Sequence, residues 1–361
     1  MIDLDFWSGR RVFVTGHTGF KGAWLSILLQ RLGAEVTGFS LPAPSNPSLF
    51  DGAHAARGID SVSGDVRDLS ALTRAMEVAS PEIVLHLAAQ SLVRPSYEDP
   101  VTTYATNVQG SVHVLEAVRQ TNGVRAVVMV TSDKCYENNE WPWGYRESDR
   151  LGGKDPYSNS KACAELVTAG YRASFFPPRH IQRHGVGVAT ARAGNVIGGG
   201  DWSEMRIVPD LMRGFLGGES VVIRSPCAIR PWQHVLDPLT GYMMLAERLW
   251  HGEAAFASAW NFGPVDTDAR PVSFLADRLA AIWGDGASWH VEETSDGRET
   301  GVLRLDSSQS RQQLKWHPQW DVNSALEHTA QWYRAYGRDS GTEAVRAATE
   351  SDIESYLARL S

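Results

Sequence analysis

Tyr157 and Lys161 stand four residues apart in DPYSNSK at 155–161. On a helix such a pair shares one face, and an ammonium beside a phenol favours the phenolate. Tyr157 is therefore expected to have a depressed pKa and to take a proton from an alcohol while hydride leaves the same carbon. Ser132, further upstream, would donate a hydrogen bond to that oxygen. With ten tyrosines and five lysines in 361 residues, a chance pair at this spacing is expected about 0.14 times, and a surface Tyr and Lys pair is the alternative reading. The run Thr131-Ser132-Asp133-Lys134-Cys135-Tyr136 sets an acid and an amine beside the serine. It reads either as a solvated charge pair capping a loop or as the acid and base of a dehydration, which must take a C–H proton and protonate a departing hydroxyl. A simple oxidation needs neither.

A departing hydride needs an acceptor, and a turn suited to one lies near the N-terminus: Gly16-His17-Thr18-Gly19-Phe20-Lys21-Gly22, after an apolar run. Glycines allow a tight turn and let backbone N–H groups approach a pyrophosphate, with the positive end of a helix dipole facing the anion. The G-x-x-G-x-x-G spacing is similar to that of short-chain dehydrogenase/reductase Rossmann domains, with NAD as the expected cofactor. The second strand ends Gly38-Phe39-Ser40-Leu41, without the acid that usually holds an adenosine ribose and without an arginine for NADP. Ser40 can give one hydrogen bond there, so NAD over NADP is a preference only. Asp65 and Val66 would suit the adenine edge; Leu87, Ala88 and Ala89 would suit the floor. Tyr157 and Lys161 would also touch the nicotinamide end.

These residues need a scaffold, and the first half of the chain alternates short β-branched runs with helical patterns, the signature of βαβ units. Arg11–Thr15, Glu35–Phe39, Ile83–Leu87, Ala126–Thr131 and Gly187–Arg192 read as strands. Trp24–Gly33, Leu69–Ala79, Val101–Thr121 and Ser158–Phe175 read as helices. Beyond Gly194 come glycine- and proline-rich turns, a strand at Ser220–Arg224 and helices at Pro238–Leu249, Val272–Trp283 and Asn323–Tyr336. The polar segment Thr342–Leu360 is expected on the surface. The expected fold is α/β: a Rossmann-type doubly wound parallel sheet with a smaller C-terminal α/β substrate-binding lobe. Residues 1–193 with about 235–265 would form the dinucleotide domain, and 194–234 with 266–361 the lobe.

Composition narrows the partners. With 42 acidic and 34 basic residues the formal net charge is −8, so no basic field draws in nucleic acid or a membrane surface. Cys135, Cys163 and Cys227 neither form a disulfide framework nor suit a metal, which fits a reducing compartment. The first residues, MIDLDFWSGRR, do not read as a signal peptide, and no run of 18 apolar residues occurs, so a cytoplasmic protein without metal or membrane is expected.

The lobe offers Asn195, Asp201, Trp202, Arg206, Arg230 and His234 as a substrate site, joined by Gln90 and Arg94 from the first half. Arginine forks suit a pyrophosphate and asparagine suits sugar or phosphate oxygens. Trp202 and Trp232 read either as stacking on a base or as part of a core, and His234 reads either as a substrate contact or as a buried histidine.

Taken together, VFVTGHTGFKG at 12–22, LHLAAQSLVR at 85–94, TSDKCY at 131–136, DPYSNSKACAE at 155–165, ARAGNVIGGGDW at 191–202 and RPWQHV at 230–235 resemble the extended short-chain dehydrogenase/reductase family. The likeness is to its NAD-dependent epimerase/dehydratase members, and among them to the branch that dehydrates CDP-D-glucose. The resemblance implies an internal redox cycle. Tyr157, helped by Ser132 and Lys161, takes the C4 hydroxyl proton as hydride passes to NAD. Asp133 and Lys134 then expel the C6 hydroxyl as water, and the hydride returns to C6. Relatives acting on dTDP-glucose carry Asp-Glu where this chain has Asp133-Lys134, so Lys134 as base requires a neutral amine and Asp133 as acid a protonated carboxyl. The resemblance also implies a homodimer or homotetramer, built on the helices at Val101–Thr121 and Ser158–Phe175, and a deoxysugar destined for a surface polysaccharide such as a lipopolysaccharide O-antigen. Rival readings are another nucleotide-sugar dehydratase, a 4-epimerase, an NADPH-dependent reductase and a non-catalytic dinucleotide-binding protein.

Overall fold

Short valine- and alanine-rich runs, buried on both faces, build the centre of the molecule. The computed structural model describes residues 2–291 and 301–360. Its main sheet contains β1 (Arg11–Thr15), β2 (Glu35–Ser40), β3 (Asp60–Ser63), β4 (Ile83–His86), β5 (Ala126–Val130), β6 (Gly187–Ala193) and β7 (Ala259–Phe262). All neighbours pair in parallel, in the order β7-β6-β5-β4-β1-β2-β3. The chain reverses direction across the sheet between β1 and β4, which opens a crevice at their carboxyl ends, where such sheets bind ligands.

Alternation along β1 divides the core. Val12 and Val14 face one layer with Trp24, Leu28, Leu239 and Tyr242, whereas Phe13 faces the other with Leu72, Met76, Val114 and Val118. Helices Phe20–Arg31 and Leu236–Trp250 thus cover one face, and Leu69–Ala79 and Gly110–Gln120 the other. Among the described residues no helix is long and apolar enough to cross a membrane.

The structure departs from the sequence expectations where local signals are weak. The helix expected from Trp24 starts at Phe20, because Gly19 supplies an extended cap and leaves the turn at once. The helix expected over Val101–Thr121 starts at Pro100, where the Asp99 carboxylate accepts a hydrogen bond from Thr102 N, and it carries a π turn at Ala105–Gln109 before ending at Gln120. Strand β7 is too short to show a period, and β3 is exposed along its length and carries no apolar run.

Among the described residues, three two-stranded pairs lie around this unit: Val196–Ile197 with Gln233–His234, Ile229–Pro231 with Ala269–Pro271, and Val221–Ile223 with Trp289–Val291. Helices Ile207–Gly217, Val272–Trp283 and Val322–Arg338 pack beside them.

The C-terminal helix corrects an expectation. Thr342–Leu357 is not a polar surface segment, because Val345, Ile353 and Tyr356 recur on one face and are buried. The Tyr356 hydroxyl donates to Asp237 Oδ1 at 2.7 Å, Gln319 N donates to the same oxygen at 2.7 Å, and Trp332 Nε1 donates to Thr349 at 3.0 Å. Burial pushes the Asp237 carboxyl up to about 7, against these hydrogen bonds. An unfolded aspartate titrates near about 3.9. The folded state therefore holds the Asp237 proton more tightly, and the stability this brings is present below the unfolded pKa and lost as pH rises through about 7. Asp237→Asn is expected to flatten that decline: melting temperatures at pH 5 and pH 8 should differ by a few degrees less than in the wild type.

Candidate active site

Helix Pro156–Ser174 begins where the Asp155 carboxylate accepts from Ser158 N at 2.9 Å. The cap sets Tyr157 in the first turn and Lys161 one turn later. Opposite, the chain leaves β5 through Thr131 and turns at Ser132, whose hydroxyl accepts from Lys134 N at 3.2 Å and donates to Asp133 Oδ1 at 3.0 Å. Ser132 also bears on the Tyr157 phenol and pulls its pKa down. The structure thus brings Ser132, Asp133, Tyr157 and Lys161 together, all but sealed from solvent. Lys134, less buried, holds its Nζ 5.9 Å from the centroid of the Tyr157 ring.

The electrostatics correct one expectation. Burial pushes the Tyr157 phenol up to about 12, and the groups that pull it down are Ser132 and Arg206, not Lys161. The Lys161 ammonium donates instead to Val130 O at 3.3 Å, and burial lowers its pKa to about 8. Desolvation penalises any charged form here, and it outweighs the neighbouring cation. The same effect raises the Asp133 carboxyl, against the pull of Lys134, Ser132, Arg230 and Lys21. Among the described residues Asp133 Oδ2 has no hydrogen-bond partner, and a Cβ on Gly194 would lie 3.0 Å from it. Asp133 and Pro231 close on Gly194 too tightly to admit a side chain there.

Lys21 reaches past the glycine turn into the same space. Its Nζ donates to the Tyr242 hydroxyl at 3.5 Å, and burial together with Arg206 and Lys161 brings it down to about 7. Tyr242, in helix Leu236–Trp250, is a neighbour the sequence did not single out: it sits in an apolar run of that helix and only the fold turns it towards Asp133 and Tyr157.

The glycine turn forms a cradle at the amino end of helix Phe20–Arg31. Gly16 has φ +76°, and a Cβ on it would lie 2.6 Å from Ala88 N; one on Gly22 would lie 2.0 Å from Gly16 O. β1 and β4 can end this close together only with glycine there. Ala88 N in turn donates to Thr15 Oγ1 at 3.3 Å, which brings Leu87, Ala88 and Ala89 beside the turn. Thr18 Oγ1 lies 2.9 Å from Ser40 Oγ, and His17, Thr18 and Ser40 line a cavity of about 840 Å³ with Leu41, Pro42 and Ser63. A Cβ on Gly38 would meet the His17 ring at 2.3 Å; burial holds that imidazole near 4, hence neutral, with Nε2 2.7 Å from Ser61 Oγ. Phe20 packs towards the Gly198 turn. These surroundings fit a dinucleotide: a bare backbone cradle for phosphates and a cavity beyond β2 for a nucleoside. Asp65 and Val66 are committed elsewhere. The Asp65 carboxylate is gripped by Arg67 at 2.6 Å, while Val66 packs on Gly110 and its carbonyl accepts from His113 Nδ1 at 2.9 Å.

Of the expected substrate residues, Arg206 donates to Asp201 at 3.0 Å and to Ser91 Oγ at 3.1 Å, and its charge bears on Tyr157. Arg230 donates to Ile229 O at 2.9 Å, and its charge bears on Asp133. Asn195 is half-buried in the turn after β6, and Arg94 is exposed. The Gln90 side chain is spent on Leu92 of its own loop and on Thr103 of the helix that starts at Pro100. Three expectations are corrected. His234 is fully buried between Trp24 and Trp320, so it is a core histidine. Trp202 packs edge-on to Tyr333, and Trp232 Nε1 donates to Arg270 O at 2.9 Å; both are buried, so neither is free to stack on a base. Apolar neighbours drew all three inward. Among the described residues no cluster of three His, Cys, Asp or Glu could hold a metal.

Comparison with known proteins gives the same outline. Residues 12–259 match the model of the NAD dependent epimerase/dehydratase family. A CDP-glucose 4,6-dehydratase of Salmonella typhimurium is 50% identical over 357 residues, covering 99% of each chain. Among solved structures, an epimerase of Methanothermobacter thermautotrophicus aligns with a TM-score of 0.79 at 22% identity, covering 93% of this chain and 96% of that one. The dTDP-glucose 4,6-dehydratase of Streptomyces venezuelae, solved with NAD bound, aligns with a TM-score of 0.72 at 23% identity, covering 90% and 96%. Both share the fold.

The cradle can be tested without substrate. Gly16→Ala is expected to weaken NAD binding at least about tenfold by calorimetric titration with the circular dichroism spectrum unchanged, because the added methyl meets Ala88 in the crevice. Unchanged affinity would place the dinucleotide elsewhere.

Proposed function

The chain belongs to the NAD dependent epimerase/dehydratase family, and from that premise we propose that it is a hydro-lyase converting CDP-D-glucose to CDP-4-dehydro-6-deoxy-D-glucose and water. The observation that carries this reading is the Asp133 carboxyl, sealed beside Tyr157 and raised by burial. A 4-epimerase has no use for a buried proton donor there. A dehydration does, because hydroxide is a poor leaving group until it is protonated.

NAD held by Gly16 to Gly22 would supply the hydride acceptor for C4 and the donor for C6, so none is consumed. The chain's own groups move the protons. Tyr157 takes the C4 hydroxyl proton as the 4-ketone forms, with Ser132 donating to the same oxygen. Burial raises the phenol, so its ionisation depends on the groups that pull it down, Ser132 and the Arg206 cation. The ketone acidifies the C5 hydrogen, and Lys134, as a neutral amine, takes that proton. Asp133 gives its proton to the C6 oxygen, the C6–O bond breaks with its electron pair, and water leaves. Once C6 has been reduced, the Lys134 ammonium returns a proton to C5, Tyr157 releases to solvent the proton it took from C4, and Asp133 takes one up, so the cycle closes with no net proton change. Arg206 and Arg230 would hold the pyrophosphate from the lobe formed by 194–234 and 266–361, with Asn195 on the sugar or phosphate oxygens.

The protein would act in the cytoplasm as a homodimer or homotetramer. The outward apolar side chains of Val101 and Leu166, 78% and 61% exposed, support pairing through the helices at 100–120 and 156–174. The product is a 4-keto-6-deoxy sugar nucleotide suited to deoxysugar synthesis for a surface polysaccharide.

Incubation with CDP-, UDP- or dTDP-glucose, with and without added NAD, is expected to give a product lighter by one water from CDP-glucose; its appearance only from another nucleotide would overturn the substrate assignment. Tyr157→Phe should lower kcat by about 10³-fold. In deuterated water Lys134→Ala should lose C5 exchange, and Lys134→Glu should regain part of it; near-normal exchange in Lys134→Ala would remove Lys134 as the base.

A further inference from the structure

Beneath the acid loop and the tyrosine helix lies a buried ion pair that the proton transfers above do not use. Glu165 sits one turn after Lys161, and Arg192 lies near the end of β6; each side chain is 3% exposed and they meet at 2.8 Å. Glu165 Oε1 also accepts from the Thr131 hydroxyl, the residue before Ser132, and Oε2 accepts from Thr190 at 2.7 Å. On its other side Arg192 donates to the Tyr136 hydroxyl at 2.8 Å and to Glu147 O at 3.1 Å. Tyr136 passes the link to Asn261 Oδ1 of β7 at 2.6 Å. Thr131 and Tyr136 bracket the acid loop, so both of its ends are tied to one carboxylate and one guanidinium, and that carboxylate shares a helix with Tyr157 and Lys161.

We propose that Glu165 and Arg192 are positioning residues that hold the Ser132–Asp133–Lys134 loop in register with Tyr157 and Lys161 for the dehydration. The proposal rests on the reading of the preceding subsection. A buried ion pair adds little stability over an apolar pair of the same volume, because desolvation offsets the attraction. Stability alone therefore gives no reason for β6, the acid loop after β5 and the tyrosine helix to converge on this pair. Its directional hydrogen bonds do, since they set angles and distances that apolar packing leaves loose. Burial alone would raise the Glu165 carboxyl, but the Arg192 charge and the donors on it hold it below its ordinary value, so it stays an anion within electrostatic reach of Lys161.

Two measurements test this. Glu165→Gln strands a buried guanidinium and so puts folding itself at risk; the deciding variant is the double Glu165→Leu with Arg192→Met, which removes both charges. It is expected to melt near the wild-type temperature and to bind NAD with unchanged affinity. Its kcat on CDP-glucose should fall about a hundredfold, the cost of roughly ångström-scale misplacement, with KM changed less than about threefold. A folded double variant with wild-type kcat would overturn the proposal. The second measurement needs no substrate: nitrogen-15 NMR of the five lysine side chains. Lys161 faces Glu165 on its own helix, Cys135 from the acid loop, His86 from β4 and Lys21 from the first helix. Loss of the Glu165 anion should move the Lys161 titration to lower pH, and an unmoved titration would also overturn the clamp. Should the wild type act on no nucleotide sugar, the dehydration reading fails while the lysine titration still decides the clamp.

Discussion

Water is kept from the carboxyl ends of β4, β5 and β6, and the chemistry of the site follows from that exclusion. His86, Asp133, Tyr157, Lys161 and Glu165 converge there with almost no solvent contact. In such surroundings each ionisable group moves towards its neutral form unless a partner of opposite charge is fixed against it. Glu165 has such a partner in Arg192 and remains an anion. Asp133 has only weaker influences and is raised, and Tyr157 rises with it. One physical effect, opposed to different degrees, thus leaves one carboxyl an anion and raises the pKa of another.

The same exclusion demands a close fit between strands, and glycine provides it. The backbone of Gly16 lies so near Ala88 that no side chain can intervene, and Gly22 passes over Gly16 in the same way. This contact draws together the ends of β1 and β4, on either side of the point where the strand order reverses. Gly194 performs a similar service beside Asp133. Close approach and desolvation are two aspects of one construction, since a crevice this tight leaves water little room beside the acid.

Much of this could be read before any coordinates. The strands β1, β2, β4, β5 and β6 stand where their β-branched runs lie, and the spacing of Tyr157 and Lys161 requires a shared helical face. The glycine turn opens the first helix as its spacing implies. Where the reading failed, it lacked a third dimension. His234, Trp202 and Trp232 stand next to polar motifs in sequence, yet their neighbours in space are aromatic rings and backbone carbonyls. Tyr242 and Arg192 come from segments far from the acid loop in sequence, and no local pattern marks them. The final helix looked polar because only one residue in three or four faces the core.

Covalent order alone determines that a phenol and an amine share one helical turn, that a serine, an acid and a lysine follow the same strand, and that a glycine-rich turn opens the first helix. These are contacts of short range, set by bond geometry and backbone periodicity. Charge state belongs to the folded molecule. Lys161 looks in the chain like the cation that ionises Tyr157, but in the fold its ammonium is turned to Val130 O, and Arg206, at the start of helix Ile207–Gly217, bears on the phenol instead. A pKa depends on the summed distances to every charge and on the water displaced, and neither quantity exists until distant segments are packed together.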